Sequence, residues 1–406
     1  MDEDIASRAS LGRSFRFLWL ARGTTGLGDG IRLSVLPLLT ASLTRDATLV
    51  GGVSAFATAP WLLFGLPAGA IVDRFDRRVL LVAANAIRAL TIGLVAASIF
   101  GGWASIPLVY LLAFVNGSTE TVISTASSTV LPSLVSAEQL AGANVRLSIV
   151  DTATSEFVGP SLGGLVFALS AGAALALNAA VFALGALTVT GIPTRPAPGN
   201  PRPKLRHALV EGLRWMIAHQ LVRFLCLGVG IVAFIDSAWF AILVLYARRI
   251  LHLGGFGFGL LLTIGGIGSI AAGFAVMRLT RSITRGGAML AAVSAMGVSQ
   301  LTIGLTSDRA VTAAMLALSG AAFTVWNVCV VTLRQSLVPD ELLGRVTSAY
   351  LFVGFGATAI GAVSGGALAN TFGIRAPFLA GAPLLGVLLL GLRRSLLGAE
   401  QTAPAS

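Results

Sequence analysis

Apolar stretches of about 20 residues, the length that a membrane-spanning helix needs, recur along this 406-residue chain. The chain is 55% hydrophobic and 11% charged, and its mean hydropathy is +0.87. Inside a bilayer only helices and closed barrels satisfy the backbone hydrogen bonds. The pattern therefore predicts an all-α polytopic membrane protein with twelve spans. The spans lie near Phe15–Leu43, Leu49–Val72, Val79–Phe100, Ile106–Leu131, Ala141–Leu169, Ala173–Ile192, Leu221–Tyr246, Phe256–Leu279, Ala288–Thr306, Val311–Leu333, Val346–Thr371 and Pro377–Leu392.

Basic residues at the ends of these spans orient the chain. The net charge is +11, but the arginines are scattered rather than gathered on one face, so nucleic-acid binding is not predicted. Arginine clusters precede span 1 and follow spans 2, 8 and 12, and the positive-inside rule assigns these ends to the cytoplasm. Both termini are then cytoplasmic. Lys204 is the only lysine, which is typical of a GC-rich bacterial genome and favours the bacterial inner (cytoplasmic) membrane.

The two halves of the chain repeat one another. Arg16 and Asp29 in span 1 have the same separation as Arg223 and Asp236 in span 7. The ends of spans 2 and 8 also match, as do the proline junctions after spans 4 and 10. A proline-rich linker between the halves continues into apolar residues at helical spacing, which predicts an amphipathic surface helix. We expect an N-terminal six-helix bundle at 1–192, this linker at 193–219 and a C-terminal six-helix bundle at 220–406.

Several motifs resemble the major facilitator superfamily. Gly69–Arg78 is similar to its cytoplasmic signature, although Asp76 stands where that pattern usually has glycine. Gly159–Gly164 in span 5 resembles the antiporter motif of its drug exporters. Gly28–Gly30 and Leu333–Val346 look like the branch that contains macrolide efflux proteins and the enterobactin exporter. The likeness covers essentially the whole chain.

This resemblance implies a major facilitator fold, with twelve transmembrane helices in two pseudo-symmetric six-helix bundles, and a function in efflux. It also implies a gating motif and an antiporter motif. The gating motif comprises Gly69, Asp73, Arg74, Arg77 and Arg78; the antiporter motif comprises Gly159, Pro160, Gly163 and Gly164. The alternatives are a charge cluster that only orients the chain and glycines that only allow close packing. The arginine that many drug exporters carry in span 4 would fall near Ala113, so the chain departs from the residue pattern of their usual proton-coupling route.

Small residues also follow one face of span 5. Asp151, Ser155, Gly159 and Gly163 lie on successive turns, so another helix can approach this face closely. Span 8 is rich in glycine, and we expect it to be the partner.

Two aspartates lie in the middle of spans, where a charge costs several kcal/mol or more. Asp29 shares a helix face with Arg22 and Arg32. It is a carboxylate that exchanges protons or contacts a cationic substrate, or a permanently ionised member of a structural ion pair with Arg32 or Arg22, or it lies in an outward-facing or shallow position. Asp236 has no arginine within one turn and precedes Trp239 and Phe240. Asp236 is the less neutralised aspartate and therefore the better candidate for a proton-exchanging carboxylate. The alternative is that Asp236 is a relic of duplication retained for packing.

Further polar residues fall inside the spans. Glu120, Asn116 and Ser124 form a stripe on span 4 that either lines a water-filled cavity or forms a structural hydrogen-bond ladder. Glu156 in span 5 could face the same cavity, and Arg88 and Arg146 are candidate partners for these acids. Trp326 and Asn327 in span 10, with Trp239 and Phe240, could line the cavity, or the aromatic residues could only pack.

These patterns predict proton-coupled export of a lipophilic drug, antibiotic or siderophore-like metabolite by rocker-switch alternating access. Asp29, Asp236 and Glu120 would exchange protons against substrate. An importer or uniporter of the same fold is the alternative. The chain has no phosphate-binding Gly-Lys-Ser/Thr loop and no His/Cys/Glu constellation at ligand spacing, so we predict no enzyme, no metal site and no cofactor. The expected partners are the lipid bilayer, a small-molecule substrate and protons, with one chain sufficient for function.

Overall fold

A computed structural model describes residues 12–65, 72, 75–131, 134–193, 214–282 and 284–402. These residues form helices and contain no β-strand. In the first half the helices are α1 (Arg13–Leu43), α2 (Ala47–Phe64), α3 (Arg77–Phe100), α4 (Ile106–Val130), α5 (Ala137–Thr152), α6 (Gly159–Leu169) and α7 (Ala171–Val189). In the second half they are α8 (Gln220–Phe240), α9 (Leu243–Arg249), α10 (Gly255–Ser282), α11 (Arg285–Leu305), α12 (Arg309–Leu337), α13 (Asp340–Phe372) and α14 (Ala376–Thr402).

Each predicted span coincides, within the described residues, with one helix or with consecutive helices. Ten helical segments there are long and apolar enough to cross a membrane. Spans 1 and 5 are outside that set for physical reasons. Helix α1 carries five charged side chains, and span 5 is divided by a π-helical turn, Ala153–Val158, that joins α5 to α6. The prediction of an all-α polytopic membrane protein is confirmed.

The start of α3 explains the unusual aspartate in the motif at the end of span 2. The side chain of Asp76 accepts hydrogen bonds from the backbone N–H groups of Arg78, at 2.8 Å, and Val79, at 3.3 Å. A carboxylate in this N-cap position satisfies helix N–H groups that otherwise lack partners. Arg77 and Arg78 form the first turn of α3. Gly69, Asp73 and Arg74, the other members of the predicted gating motif, lie outside the described residues.

The packing divides the chain into two compact units. Unit 1 comprises Met1–Leu43 and Pro60–Pro201, and unit 2 comprises Thr44–Ala59 and Arg202–Ser406. Helix α2 is therefore shared between the units. The predicted amphipathic linker helix falls largely outside the described residues, and the boundaries at 192 and 220 stay predictions.

Close helix contacts in unit 1 place α1 against the antiporter motif. A Cβ atom on Gly159 would lie 2.6 Å from the Cα atom of Gly30, and one on Gly163 would lie 2.9 Å from the carbonyl oxygen of Ile31. The small-residue face of span 5 is therefore filled by α1 of the same unit. The glycines of α1 accept Gly159 and Gly163, and the expectation that span 8 also contacts span 5 stays a prediction.

Unit 2 contains the corresponding arrangement. Gly361 and Gly365 of α13 pack directly on the carbonyl oxygens of Phe234 and Ala238 in α8, leaving no room for a Cβ atom. These carbonyls flank Asp236 in sequence, and the glycine contacts of α1 likewise flank Asp29. The duplication predicted from sequence is thus also present in the way the two aspartate-bearing helices pack.

Candidate functional site

A fully buried arginine is the centre of the ionic site in unit 1. Helix α3 places Arg88 with 0% of its side chain exposed. Its Nη1 atom lies 3.3 Å from each carboxylate oxygen of Asp29 in α1, and its Nη2 atom pairs with Glu120 in α4. A buried cation requires such partners, because desolvation otherwise costs more than the fold can offset. Arg88 therefore joins three helices through two carboxylates.

Neutral groups complete the surroundings of Arg88. Its Nε atom donates to the hydroxyl of Thr119 at 2.8 Å, and Nη2 also lies 3.4 Å from the carbonyl oxygen of Asn116. The guanidinium carbon lies 5.2 Å from the centre of the Phe182 ring in α7, within the range of a cation–π contact. The planar guanidinium group can serve all these directions at once, which an ammonium group cannot.

Two more ion pairs extend the site. Arg32 Nη2 lies 3.3 Å from Asp29 Oδ1, and Arg22 Nη2 lies 2.9 Å from Asp151 Oδ2 in α5. The three carboxylates and three guanidinium groups have a formal net charge of zero. Only Arg88 is fully buried, and the other five side chains are between 22% and 36% exposed.

The packing of α1 against span 5 explains why Asp151 reaches Arg22. A Cβ atom on Gly26 would lie 2.5 Å from the Thr154 hydroxyl and 3.2 Å from Asp151 Oδ1. The absence of a side chain at Gly26 lets the π-helical turn approach α1. Thr154 lies in this π-helical turn, three residues after Asp151. Its hydroxyl donates a hydrogen bond to the carbonyl oxygen of Val150 at 2.8 Å.

Two adjoining cavities open beside these ion pairs, both within unit 1. The smaller, about 230 Å³, is lined by Arg22, Thr25, Asp29, Arg32, Glu120, Ile123, Asp151 and Ser155. The larger, about 440 Å³, is lined mainly by leucine side chains and by uncharged polar groups of α1, α3, α4 and α5. Arg22, Thr25, Ile123 and Asp151 line both. The Arg22–Asp151 pair therefore lies at the boundary between an ionic cavity and a mostly uncharged one.

The structure brings together four of the predicted site residues: Asp29, Arg32, Arg22 and Glu120. Ser124 lines the larger cavity, whereas Asn116 is only 1% exposed and donates its amide N–H to the carbonyl oxygen of Leu112. The hydrogen bond of Asn116 lies within α4 itself, and the role of the span 4 stripe stays a prediction. Glu156 lies half-buried in the π-helical turn and makes no ion pair within the described part of the chain.

The predicted site residues of the second half all lie in unit 2. Asp236 makes no salt bridge with a described arginine, and its neighbouring polar group is the indole of Trp239. Trp239 packs against Phe240 and Phe378, with each pair of ring centres 5.8 Å apart. Trp326 is 2% exposed in the hydrophobic core, and Asn327 is exposed. Trp326 therefore packs in the core, as in the alternative in which the aromatic residues only pack. The roles of Asp236, Phe240 and Asn327 stay predictions.

The antiporter motif and the candidate arginines can also be located. Gly159, Pro160, Gly163 and Gly164 are all buried. Of the two arginines considered as partners for the acids, Arg88 pairs with Glu120, whereas Arg146 is exposed.

Sequence reasoning underrated Arg88 and missed the Arg22–Asp151 pair. A single arginine in the middle of an otherwise apolar span 3 was the available signal for Arg88. The cation–π contact with Phe182 had no comparable signal, since phenylalanine is common in apolar spans.

Solved transporters share this fold. A mutant of the nucleoside transporter NupG matches with a TM-score of 0.78 and 13% identity, covering 94% of this chain and 99% of that one. A bacterial homologue of the iron transporter ferroportin, in its inward-facing state, matches with a TM-score of 0.74 and 18% identity over 94% and 99% of the two chains. At these identities the likeness shows the fold. The chain is a polytopic membrane protein with the fold of these transporters.

The family model described as transmembrane secretion effector matches residues 9–406, and the chain belongs to this family. It is 28% identical over 383 residues to the multidrug efflux pump Tap of Mycolicibacterium fortuitum, covering 91% of this chain and 92% of Tap. It is also 28% identical over 405 residues to the enterobactin exporter EntS of Salmonella choleraesuis, covering 97% of this chain and 95% of EntS. The chain is thus a multi-pass membrane exporter of the major facilitator type.

Proposed function

We propose that this protein exports a lipophilic small molecule, such as a drug, an antibiotic or a siderophore-like metabolite, in exchange for protons. The relatives named as a multidrug efflux pump and an enterobactin exporter support this substrate range. The protein works as a single chain in the bacterial cytoplasmic membrane, with both termini in the cytoplasm. Two six-helix bundles, 1–192 and 220–406, alternate access to the substrate, and the linker at 193–219 joins them.

The observation that carries the proposal is the bridge that Arg88 forms between Asp29 and Glu120 beside a cavity. Because the network is neutral when every group is ionised, protonating either carboxylate leaves one positive charge in excess. The same step removes one of the two anions that hold the buried guanidinium group. Proton uptake therefore changes both the charge of the cavity and the bonding between α1, α3 and α4.

Proton and substrate compete for these carboxylates. A substrate that contacts Asp29 or Glu120 favours their ionised forms, and a proton removes that contact. A transporter whose states differ in these contacts can be driven by the proton gradient, because a ligand shifts a conformational equilibrium by its difference in affinity. Asp236, which has no described arginine partner, is a second proton-exchanging carboxylate in unit 2.

Transport measurements in proteoliposomes with an imposed pH gradient test the proposal. The probes are ethidium, a lipophilic cation, and enterobactin. We expect flux of at least one probe to follow the gradient in the unmodified protein. In Asp29→Asn and Glu120→Gln, we expect downhill flux without gradient-driven accumulation. Asp308→Asn, in the N-cap of α12, is the matched control and keeps its response to the gradient.

The outcomes separate the candidate functions. Flux that ignores the pH gradient in the unmodified protein indicates a uniporter and contradicts proton coupling. Variants that keep the full response show that Asp29 and Glu120 do not exchange the coupled proton, and Asp236→Asn then tests the remaining carboxylate.

A further inference from the structure

The larger cavity of unit 1 has the size of a small-molecule site. Its volume of about 440 Å³ falls in the range of roughly 300–1,000 Å³ that is usual for such pockets. Its described lining residues come from α1, α3, α4, α5 and the end of α7, all belonging to unit 1. Unit 1 therefore supplies a wall large enough to contact a small molecule.

Its wall combines a large apolar surface with uncharged hydrogen-bonding groups. Leu18, Leu81 and Leu147 contribute apolar side chains from three helices, and Ser124 and Ser148 contribute hydroxyl groups. The hydroxyl of Thr25 donates to Asn85 Oδ1 at 3.3 Å, so part of this polar surface is already ordered. Such a wall suits a molecule with an aromatic or aliphatic body and a few hydrogen-bonding substituents.

The charged groups are confined to one end of the cavity. Arg22 and Asp151 pair there at 2.9 Å, and their side chains are 36% and 32% exposed. A ligand with a strong charge of one sign would neutralise one member of the pair and leave the other without its partner. A neutral or zwitterionic polar group can interact with both members, so the boundary selects against an excess of either charge.

From this arrangement we infer that the larger cavity binds the body of a neutral or zwitterionic amphiphile, whose polar group lies at Arg22 and Asp151. The inference rests on the proposed function, because it assigns a site and a substrate class to the exporter. The bound polar group then lies at the boundary with the smaller cavity, which Asp29 and Glu120 also line.

A reversible block of the cavity in the folded protein tests this inference. Ser148→Cys places a thiol on the cavity wall, and Ile149→Cys places one at the next position of α5, where the side chain is 60% exposed and does not line the cavity. Cys226 and Cys329 are buried, so they are protected from the reagent. Each full-length variant, in lipid nanodiscs, is modified with benzyl methanethiosulfonate and later restored with a reductant. Because the thiol is modified only after folding, a failure to fold does not obscure the result.

Binding is measured by calorimetry with three probes: chloramphenicol, which is neutral, tetracycline, which is zwitterionic, and tetraphenylphosphonium, a permanent cation. We expect chloramphenicol or tetracycline to bind, and modified Ser148→Cys to weaken that binding roughly tenfold or more, since a filled pocket cannot hold the ligand body. Reduction restores it. Modified Ile149→Cys changes the Kd less than about twofold.

The inference is overturned if the two modified variants bind alike, if neither chloramphenicol nor tetracycline binds, or if tetraphenylphosphonium alone binds. Transport by the same proteins in proteoliposomes separates this from the proposed function. Gradient-driven flux that persists in modified Ser148→Cys overturns the cavity assignment and leaves proton coupling intact. Binding that follows the expected pattern, with flux that ignores the gradient, overturns proton coupling and leaves the cavity assignment intact.

Discussion

The environment of Arg88 depends on the property that distinguishes a guanidinium group from other cationic side chains, its several hydrogen-bond donors in one plane. Arg88 is fully buried, yet its three nitrogen atoms reach Asp29, Glu120 and Thr119 on two other helices. The carboxylates of Asp29 and Glu120 also line the smaller cavity. Arg88 can therefore hold the helices together while its two anionic partners stay within reach of water, protons or substrate.

Replacing Arg88 is expected to destabilise the protein strongly. Arg88→Gln removes the cation and leaves Glu120 and Asp29 with unbalanced negative charge, a change that costs about 3–5 kcal/mol for a buried pair. Adding Glu120→Gln to this variant removes one unbalanced charge and recovers part of the loss. Thermal unfolding in detergent, followed by tryptophan fluorescence, measures both changes.

Arg146→Gln is the matched control, because Arg146 is exposed on α5. Its expected cost is within about 0.5 kcal/mol. Equal unfolding temperatures for Arg88→Gln and Arg146→Gln would contradict the central structural role of Arg88.

Much of this site could be predicted at the residue scale, but its pairing could not. Helical spacing places Arg22, Asp29 and Arg32 on one face of α1, and an acid inside span 4 singles out Glu120. Spacing also allowed Arg22 to pair with Asp29. The structure instead pairs Arg22 with Asp151, because the glycine at position 26 brings span 5 close to that turn of α1.

At the scale of helices, span 5 combines a close contact with a local irregularity. The π-helical turn Ala153–Val158 comes directly before Gly159, and both face α1. Single π-helical turns inside α-helices occur frequently at functional sites. Here the turn carries Ser155 on the wall of the smaller cavity and follows Asp151, so helix geometry and the ionic site are connected.

A methyl group at Gly159 is expected to separate α1 from span 5. In Gly159→Ala the new Cβ atom would lie 2.6 Å from Gly30 Cα and 2.7 Å from the carbonyl oxygen of Thr154, so backbone atoms must move. Overpacking of this kind costs about 1–3 kcal/mol. We expect a lower unfolding temperature and weaker gradient-driven flux, since Arg22 and Asp151 depend on the same contact.

Gly142→Ala tests whether the effect comes from the contact rather than from losing any glycine. Gly142 lies in α5, and a Cβ atom there has nothing within 4 Å. Alanine favours a helix over glycine by up to about 1 kcal/mol, so this variant should be as stable as the unmodified protein or more stable. A loss of stability equal to that of Gly159→Ala would refute the steric explanation.

The small-residue face of span 5 was visible in the sequence, but its partner was not. Spacing shows that Gly159 and Gly163 share a face, and it gives no information on which helix fills it. Span 8 has more glycines than span 1, so glycine content alone favoured span 8 over α1. The deciding feature is the position of the glycines in α1, which are one turn apart: Gly26 lies opposite Asp151 and Thr154, and Gly30 lies opposite Gly159.

At the scale of the whole molecule, duplication conserves the packing and changes the chemistry. Asp29 and Asp236 both lie on helices that glycines of another helix approach closely. Asp29 is paired with two arginines, whereas Asp236 is beside an indole and has no ion-pair partner in the part of the chain that the structure describes. The repeat therefore predicted the framework of both halves, while the partners of each aspartate depend on side chains that are not repeated.

The segment Thr44–Ala59 belongs to unit 2 although it lies in the first half of the chain. Hydrogen bonds of Asn370 attach this segment to α13. Asn370 Oδ1 accepts the backbone N–H of Ala47 at 2.8 Å, and its Nδ2 donates to Thr48 and to the carboxylate of Asp46. The hydrogen bond from Asn370, followed by those from the backbone N–H groups of Leu49 and Thr48, holds the pKa of Asp46 below its usual value of 3.8. This carboxylate lies in the link between α1 and α2 and is mostly exposed.

Asn370→Ala should therefore weaken this attachment, by about 1–2 kcal/mol at neutral pH, because it removes three hydrogen bonds at the start of α2. A lowered folded-state pKa stabilises the protein above the unfolded value and loses that contribution as pH falls through the folded one. The difference between Asn370→Ala and the unmodified protein should thus be constant from about pH 8 to 5 and shrink below about pH 4, by only a few tenths of a kcal/mol since Asp46 is exposed. Thermal unfolding at pH 7, 5 and 3.5 measures this difference.

Thr371→Ala is the control, since the Thr371 hydroxyl bonds only within α13. A difference between Asn370→Ala and the unmodified protein that grows on acidification would show that ionised Asp46 does not stabilise the link.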